Sequence, residues 1–324
     1  MRLMGGLAGV AAFLLGSTLI AFPAGAAGAT GRSAAVADAT GSPAAVSPAI
    51  CRSSSHAALA ARLTSGIRAA LHGRVSVVAV GVDDPGQGLD CWLRSSEHFY
   101  SASVVKVTIL GALLRKALDR HRYLTGTEAA LARAMITRSD NYAASELWAE
   151  LGHRYLQHFL HLAGMTQTIL GPDGAWGLTQ ITAYDEVLLL RLLLHPNRVL
   201  DNASRRYALN LMAQVIGSQR WGVPAGAPTS LTVHVKNGWL PLGSHGWRIH
   251  SIGCFTGRGG GYIIVVLTLD NPTMAYGIAT VEAVAKVINH DLNPKAKSVV
   301  PLSHVSPSWG SPDERIPASP SAHR

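Results

Sequence analysis

Strand-like segments lie on both sides of a long helical block in this chain of 324 residues. Between Gly126 and about Gln214 the spacing of apolar residues predicts helices only. A closing amphipathic helix is predicted from Met274 to His290. The predicted strands are rich in β-branched and other apolar residues and cover 75–82, 89–93, 231–236, 247–255 and 262–268. One lobe would therefore combine sheet and helix from both ends of the chain, and a helical lobe would be inserted between them.

A predicted helix from Ser103 to about Leu118 is apolar on nearly every face, which is typical of a buried helix. Lys106 is placed in that interior, where burial disfavours the ammonium form and lowers the pKa of the amine. Ser103 precedes it by one turn on the same face, at about 5–6 Å between Cβ atoms. A hydroxyl beside such an amine is an arrangement that can activate a serine nucleophile.

Two further motifs follow in the sequence. Ser139-Asp140-Asn141 falls in the short link between two predicted helices, and Lys236-Asn237-Gly238 falls at the end of a predicted strand. Each motif alone is weak, because Ser-Asp-Asn is also typical of an ordinary helix-capping turn. The ordered set of three motifs, each in a suitable structural context, is far more specific.

With Ser103-x-x-Lys106, the set resembles the motifs of class A β-lactamases and penicillin-binding D,D-peptidases. The similarity spans roughly Cys51–Leu292, includes 141–144 and 182–185, and is greatest to the β-lactamase-like serine hydrolases of actinobacteria. It implies an α/β (α+β) fold of the β-lactamase/transpeptidase type. In that fold, helices flank a five-stranded antiparallel sheet, and an all-helical lobe is inserted at about residues 119–220.

The resemblance also implies a role for each motif residue. Ser103 would be the nucleophile, Lys106 its base, and Ser139 the residue that passes a proton to the leaving nitrogen. The backbone N–H groups of Ser103 and Trp239 would form the oxyanion hole. Substrate binding is implied for Asn141, Lys236, Asn237, Gly238 and Trp239, with Gly238 letting substrate lie close against the strand.

Two departures from the family pattern affect the expected chemistry. Asn237 stands where the third motif usually has a hydroxyl residue, which leaves one contact to a substrate carboxylate open. Residues 170–177 span the region where class A enzymes carry the Glu that activates the hydrolytic water, and they contain no Glu. Asp173 is the only acid there and favours a turn. We therefore expect acylation to proceed and deacylation to be slow or to use another route.

The N-terminus resembles a secretory signal. Arg2 precedes a largely apolar stretch that ends at Pro23, followed by the small residues of an A-x-A cleavage site. We predict a signal peptide over residues 1–29 and a secreted or cell-wall-associated protein. An uncleaved membrane anchor is the alternative, because the apolar stretch approaches spanning length.

Composition divides the remainder of the chain. Residues 30–50 are rich in Ala, Ser, Gly and Pro and predict a flexible linker. The Pro- and Ser-rich residues 294–324 predict a disordered tail. The serine hydrolase domain would then cover residues 51–293.

Three cysteines allow at most one intramolecular disulfide bond. An exported protein can keep such a bond, and Cys51 with Cys91 is the preferred pair. Cys254 lies in a strand-like segment and is predicted to be a buried free thiol.

The net charge of +9 comes from scattered basic residues without a dense run, which argues against a nucleic-acid reader. Anionic cell-wall polymers are a possible partner, although arginine-favouring codon usage explains the charge equally well. Among His153, His158 and His161 only the last two share a helical face, which disfavours a zinc site. No metal or cofactor is predicted, and we expect a monomer.

Three functions remain open at this point. The first is a secreted serine hydrolase that opens β-lactams or related cell-wall peptide amides through an acyl-enzyme on Ser103. The second is a D,D-peptidase or penicillin-binding protein that deacylates slowly. The third, from a different class, is a catalytically silent module that holds cell-wall peptides in the same groove.

Overall fold

A computed structural model describes residues 50–258 and 260–303 of the chain. Its main sheet has six strands, all paired antiparallel. In chain order these strands are β1 (Cys51–Ser53), β2 (Val77–Asp84), β3 (Leu89–Leu93), β6 (Thr232–Pro241), β7 (Trp247–Gly257) and β8 (Gly260–Asn271), and the spatial order is β1-β3-β2-β8-β7-β6. A separate two-stranded pair consists of β4 (Phe99–Tyr100) and β5 (Gln180–Ile181).

Seven helices complete the described part of the chain: α1 (Ala57–Leu71), α2 (Val105–Asp119), α3 (Gly126–Thr137), α4 (Asn141–Ala163), α5 (Ala183–Leu194), α6 (Asn202–Ala213) and α7 (Met274–Leu292). An antiparallel sheet flanked by helices confirms the predicted fold class. The predicted strand number of five is wrong, because β1 adds a sixth strand at the sheet edge. A strand of three residues is too short to show a period in the sequence.

The Cys51–Cys91 disulfide holds this short edge strand. The two residues are direct partners in the β1–β3 register, with their Cα atoms 3.9 Å apart. The pairing confirms the preferred prediction. Cys254 is a free thiol that is fully buried in β7, as predicted, and burial raises its pKa.

Helices cover both faces of the sheet. Successive residues of a strand point to opposite faces. In β7, Ile249 lies against Gly277 of α7, whereas the Cys254 sulfur lies 3.9 Å from the Leu190 carbonyl oxygen of α5. These two residues differ by an odd number, so α7 and α5 pack on opposite faces of the sheet.

Local sequence signals set several of the helix boundaries. Thr125 and Glu128 form the predicted capping box at the start of α3, each side chain accepting a hydrogen bond from the other residue's backbone N–H. Thr182 caps α5 by accepting from the N–H of Asp185. Gly152 interrupts α4 with a φ of 73°, where the sequence predicts the end of one helix and the start of another.

The C-terminal segment differs from its prediction. Residues 294–324 are predicted to be disordered, but the Val300 N–H donates to the Ala227 carbonyl at 2.8 Å, and Val300 accepts from Gly226. The Ser303 N–H donates to the carboxylate of Glu282 on α7. The tail prediction is therefore wrong for 294–303, where β-branched residues pair with the 226–229 segment. Residues 304–324, the predicted signal peptide and linker residues 30–49 lie outside the described residues. Within the described part, no helix combines the length and apolar character required to cross a bilayer.

Glu186 is an unusual acid in the interior of this fold. It lies on α5 with no solvent-exposed surface, and neither of its carboxylate oxygens has a hydrogen-bond partner in the described part of the chain. Burial, followed by the nearby charge of Asp185, raises its pKa well above the usual value. The folded protein therefore favours the neutral acid over the carboxylate.

We predict that Glu186→Gln makes stability less dependent on pH. Since the pKa is raised in the folded state, the unfolded chain ionises first, and the free energy of unfolding falls as the pH rises above about 4.5. A glutamine cannot ionise, so its advantage over the glutamate grows with pH, by about 1.4 kcal/mol for each unit of raised pKa. Urea unfolding of both proteins at pH 4 and pH 8 measures this difference in the free energy of unfolding. A difference that is the same at both pH values contradicts the account.

Candidate active site

The candidate nucleophile lies in a strained turn of residues 101–104, the nucleophile turn. Ala102, in the short 3₁₀ turn that precedes α2, has a φ of 46°, a conformation that costs energy for a residue with a Cβ. Ser103 follows with 6% of its surface exposed. The Ser101 N–H donates to the Thr179 carbonyl at 2.8 Å, and the Val104 N–H closes the turn on the Ser101 carbonyl at 3.1 Å. These bonds fix the backbone around Ser103.

Lys106 lies one helical turn after Ser103 and is fully buried. Its Nζ donates to the Ser139 carbonyl oxygen at 2.6 Å and to Asn141 Oδ1 at 2.6 Å, and it lies 3.1 Å from Ser139 Oγ. The link between α3 and α4 therefore supplies the polar atoms around this amine. The structure brings Ser139 and Asn141 to the place that the sequence predicts for them.

A second buried lysine reaches the same hydroxyl. Lys236 on β6 is fully buried, and its Nζ donates to Ser139 Oγ at 3.0 Å and to the Asn237 carbonyl at 2.7 Å. Ser139 itself has a φ of 58°, a strained backbone conformation for a serine. One hydroxyl thus lies between two amines that come from α2 and from the edge strand of the sheet.

The Asn237 side chain bonds to the segment that leads into β6. Its Nδ2 donates to the carbonyl oxygens of Gln219 and Trp221 at 2.8 and 2.9 Å, and the residue is 1% exposed. Both N–H groups of the amide are thus committed to the segment that leads into β6. Its Oδ1 has no hydrogen-bond partner in the described part of the chain. Substrate binding by Asn237 stays a prediction.

Gly238 allows the closest approach in the site. A Cβ built on it would lie 2.9 Å from the Ser101 carbonyl oxygen and 3.0 Å from the backbone nitrogens of Ser103 and Val104. The glycine therefore lets β6 pack against the nucleophile turn, whereas the sequence predicts that it makes room for substrate. Trp239, the next residue, is partly buried and lies 6.0 Å from the Trp221 ring centroid.

The loop after α4 contributes an aromatic ring to the site. Trp176 is 6% exposed, and its ring centroid lies 4.7 Å from Lys106 Nζ. Asp173, the acid of this loop, is exposed to solvent, and so is Glu146 on α4. The sequence motifs do not predict this contact. The only signal for it was an indole in the segment where a Glu was sought.

Three histidines on α4 do not form a metal centre in the structure. Within residues 50–258 and 260–303, no group of three His, Cys, Asp or Glu side chains is placed to hold a metal ion.

A model of the beta-lactamase enzyme family matches residues 125–292, which is more than half of the chain. The chain belongs to the beta-lactamase enzyme family. It is accordingly a serine hydrolase of the acyl-enzyme type. No curated protein sequence matches it significantly.

Solved beta-lactamases share the fold of this family member. One from Bacteroides cellulosilyticus has 16% sequence identity and a TM-score of 0.64, with 72% of this chain and 98% of that chain covered. A beta-lactamase from Streptosporangium roseum has 19% identity and a TM-score of 0.61, covering 72% and 99%. An ancestral class A enzyme has 22% identity and a TM-score of 0.59, covering 71% and 98%. At these identities the likeness establishes the fold alone.

His250 fixes the chain that precedes the nucleophile turn in this family member. It is fully buried on β7, its Nε2–H donates to the Tyr100 carbonyl at 2.9 Å, and its Nδ1 accepts from the Thr268 N–H at 3.1 Å. These partners require the neutral ring with the proton on Nε2. Burial lowers its pKa to about 4.

We predict that this histidine makes the fold acid-sensitive. Below pH 6.5 the unfolded chain takes up a proton that folded His250 refuses, so the free energy of unfolding falls until about pH 4. The loss amounts to roughly 3 kcal/mol. His250→Gln, which cannot titrate, should lack this component in unfolding curves measured between pH 7 and pH 4. If the free energy of unfolding falls equally in both proteins between pH 7 and pH 4, His250 is not the cause of the acid sensitivity.

We predict that Gly238→Ala separates β6 from the nucleophile turn. The new methyl group meets backbone atoms that cannot rotate away, so acylation should slow at least tenfold and stability should fall by about 1–3 kcal/mol. Gly257→Ala is the matched control, because a Cβ there meets only the Leu231 side chain. The rate of acylation by a chromogenic β-lactam measures the effect, and equal rates for both variants count against the account.

Proposed function

We propose that this chain is an exported serine hydrolase that opens β-lactams, or related cell-wall peptide amides, through an acyl-enzyme on Ser103. The observation that carries the proposal is the Ser139 hydroxyl between two buried amines, 3.1 Å from Lys106 Nζ and 3.0 Å from Lys236 Nζ. The contact with Lys106 makes a path for a proton from that amine, through Ser139, to the leaving nitrogen.

The first half of the reaction uses Lys106 as a base. In its neutral form the amine takes the proton of Ser103, and Oγ attacks the amide carbonyl carbon. The position of Ser103 at the start of α2 favours the developing negative charge. We place the carbonyl oxygen against the backbone N–H groups of Ser103 and Trp239, since β6 lies against the nucleophile turn.

The second half cleaves the C–N bond. Ser139 gives its proton to the leaving nitrogen and regains one from the Lys106 ammonium, so that the amine ends neutral. Lys236, held on the same hydroxyl as an ammonium donor, supplies positive charge for a substrate carboxylate. The product is an ester on Ser103, with the amine end of the cleaved amide released or, in a β-lactam, retained in the opened ring.

Deacylation is the slow step in this proposal. In the loop 170–178 the only carboxylate, that of Asp173, is exposed. Glu150 on α4 is engaged with Lys116 at 3.2 Å. This placement supports the D,D-peptidase, which β-lactams would trap as a lasting ester, as the second candidate function. The silent binding module is the third outcome that an experiment must separate.

The proposed export of the protein and its proposed substrate class are supported by different observations. Export is proposed from the N-terminal signal pattern, and the positive net charge suits contact with anionic cell-wall polymers. The β-lactam ring as substrate is proposed from the family and from the names of proteins that share the fold.

Intact mass spectrometry after addition of a penicillin tests the proposal. We predict that the chain gains the mass of one penicillin, that Ser103→Ala gains none, and that the neighbouring buried hydroxyl variant Ser101→Ala still gains it. A transient adduct identifies a β-lactamase, and a lasting adduct identifies the peptidase-like protein. No adduct on the folded wild-type chain overturns the enzymatic proposal, and an adduct that persists in Ser103→Ala overturns the choice of nucleophile.

A further inference from the structure

The Trp176 indole is fixed at the base of the site. Its Nε1–H donates to Ser145 Oγ at 3.1 Å, one turn beyond Asn141 on α4. Its ring face lies over Lys106 Nζ, with 4.7 Å between Nζ and the ring centroid. Three side chains from three elements thus meet here, and Trp176 is buried.

The loop that carries Trp176 is braced against the nucleophile turn. It consists of two 3₁₀ turns, Pro172–Gly174 and Trp176–Leu178. The Thr179 N–H donates to the Trp176 carbonyl at 3.0 Å, and the Thr179 carbonyl accepts from the Ser101 N–H. A Cβ on Gly171 would overlap the Ala175 carbonyl, so the loop closes tightly on itself. The ring is therefore held in place from both sides.

We propose that Trp176 excludes water from the Lys106 side of the acyl-enzyme and so prolongs its lifetime. The inference rests on the proposed function, because it concerns the ester on Ser103. A hydrolytic water must lie within about 3 Å both of a base and of the acyl carbon. One side of Nζ is covered by an indole face, which offers water no comparable hydrogen bond, and Ser139 and Asn141 occupy other sides. The cation–π contact further stabilises the ring over the amine when the amine is protonated.

A role in packing alone makes a different prediction. If Trp176 only fills the core, its loss disturbs Ser103 and Lys106, and acylation and deacylation suffer together. If it excludes water, its loss accelerates deacylation and leaves acylation almost unchanged. Measuring the two rates separately on one protein distinguishes these roles.

The experiment follows the penicillin adduct of the full chain by intact mass in wild type, Trp176→Ala, Trp176→Phe and Ser145→Ala. We expect Trp176→Ala to shorten the half-life of the adduct at least tenfold while the acylation rate stays within threefold. Trp176→Phe and Ser145→Ala, which respectively shrink the ring and release its anchor, should shorten the half-life two- to fivefold. Trp148→Ala, which removes an equally buried indole from α4, is the matched control and should leave the half-life within twofold.

Each outcome decides the inference. Half-lives within twofold of wild type in every folded Trp176 and Ser145 variant overturn it, as does a parallel loss of both rates. If Trp176→Ala does not fold, the two milder variants decide by the same criterion. A wild-type chain that forms no adduct refutes the proposed function itself, whereas an unaltered adduct lifetime in the variants refutes only the role of Trp176.

Discussion

The contact of two buried lysines with one serine hydroxyl is the interaction on which the rest of the site depends. Lys106 and Lys236 have no exposed surface, and each reaches Ser139 Oγ within about 3 Å. Burying an amine is costly unless polar atoms receive its hydrogens. Those atoms are two backbone carbonyls and the amide oxygen of Asn141. The two buried amines therefore keep their partners only while helix α2, the α3–α4 link and strand β6 hold their relative positions.

Backbone geometry brings these elements close enough. Gly238 places β6 against the backbone of the nucleophile turn, and Ala102 and Ser139 both adopt positive φ values. Such strain persists only where the surroundings enforce it. The bonds of Tyr100 and Ser101 to His250 and Thr179 supply that enforcement at Ala102. The bonds from the two lysines supply it at Ser139. The nucleophile turn is thus stabilised by the sheet on one side and by the loop after α4 on the other.

Features that depend on neighbouring residues in the sequence could be predicted. Features that depend on contacts between distant segments could not. The start of α5 follows from its Thr182 cap, and the start of α3 from its capping box of Thr125 and Glu128. The partners of the Asn237 amide and the ring of Trp176 over Lys106 depend on segments distant in sequence. The same holds for Val300, whose pairing with Ala227 is invisible in a Pro- and Ser-rich composition. The three motifs are visible as sequence patterns, and the resemblance supplied their expected arrangement in space.

A crystal structure of the chain after reaction with a penicillin tests the central claim most directly. The account predicts continuous density from Ser103 Oγ to the opened ring, Ser139 Oγ still shared by the two lysines, and the Trp176 ring still over Lys106. Density that connects the drug to another residue would contradict it. So would an intact Ser103 ester with Lys106 and Lys236 separated from Ser139, because the proton path would then not exist.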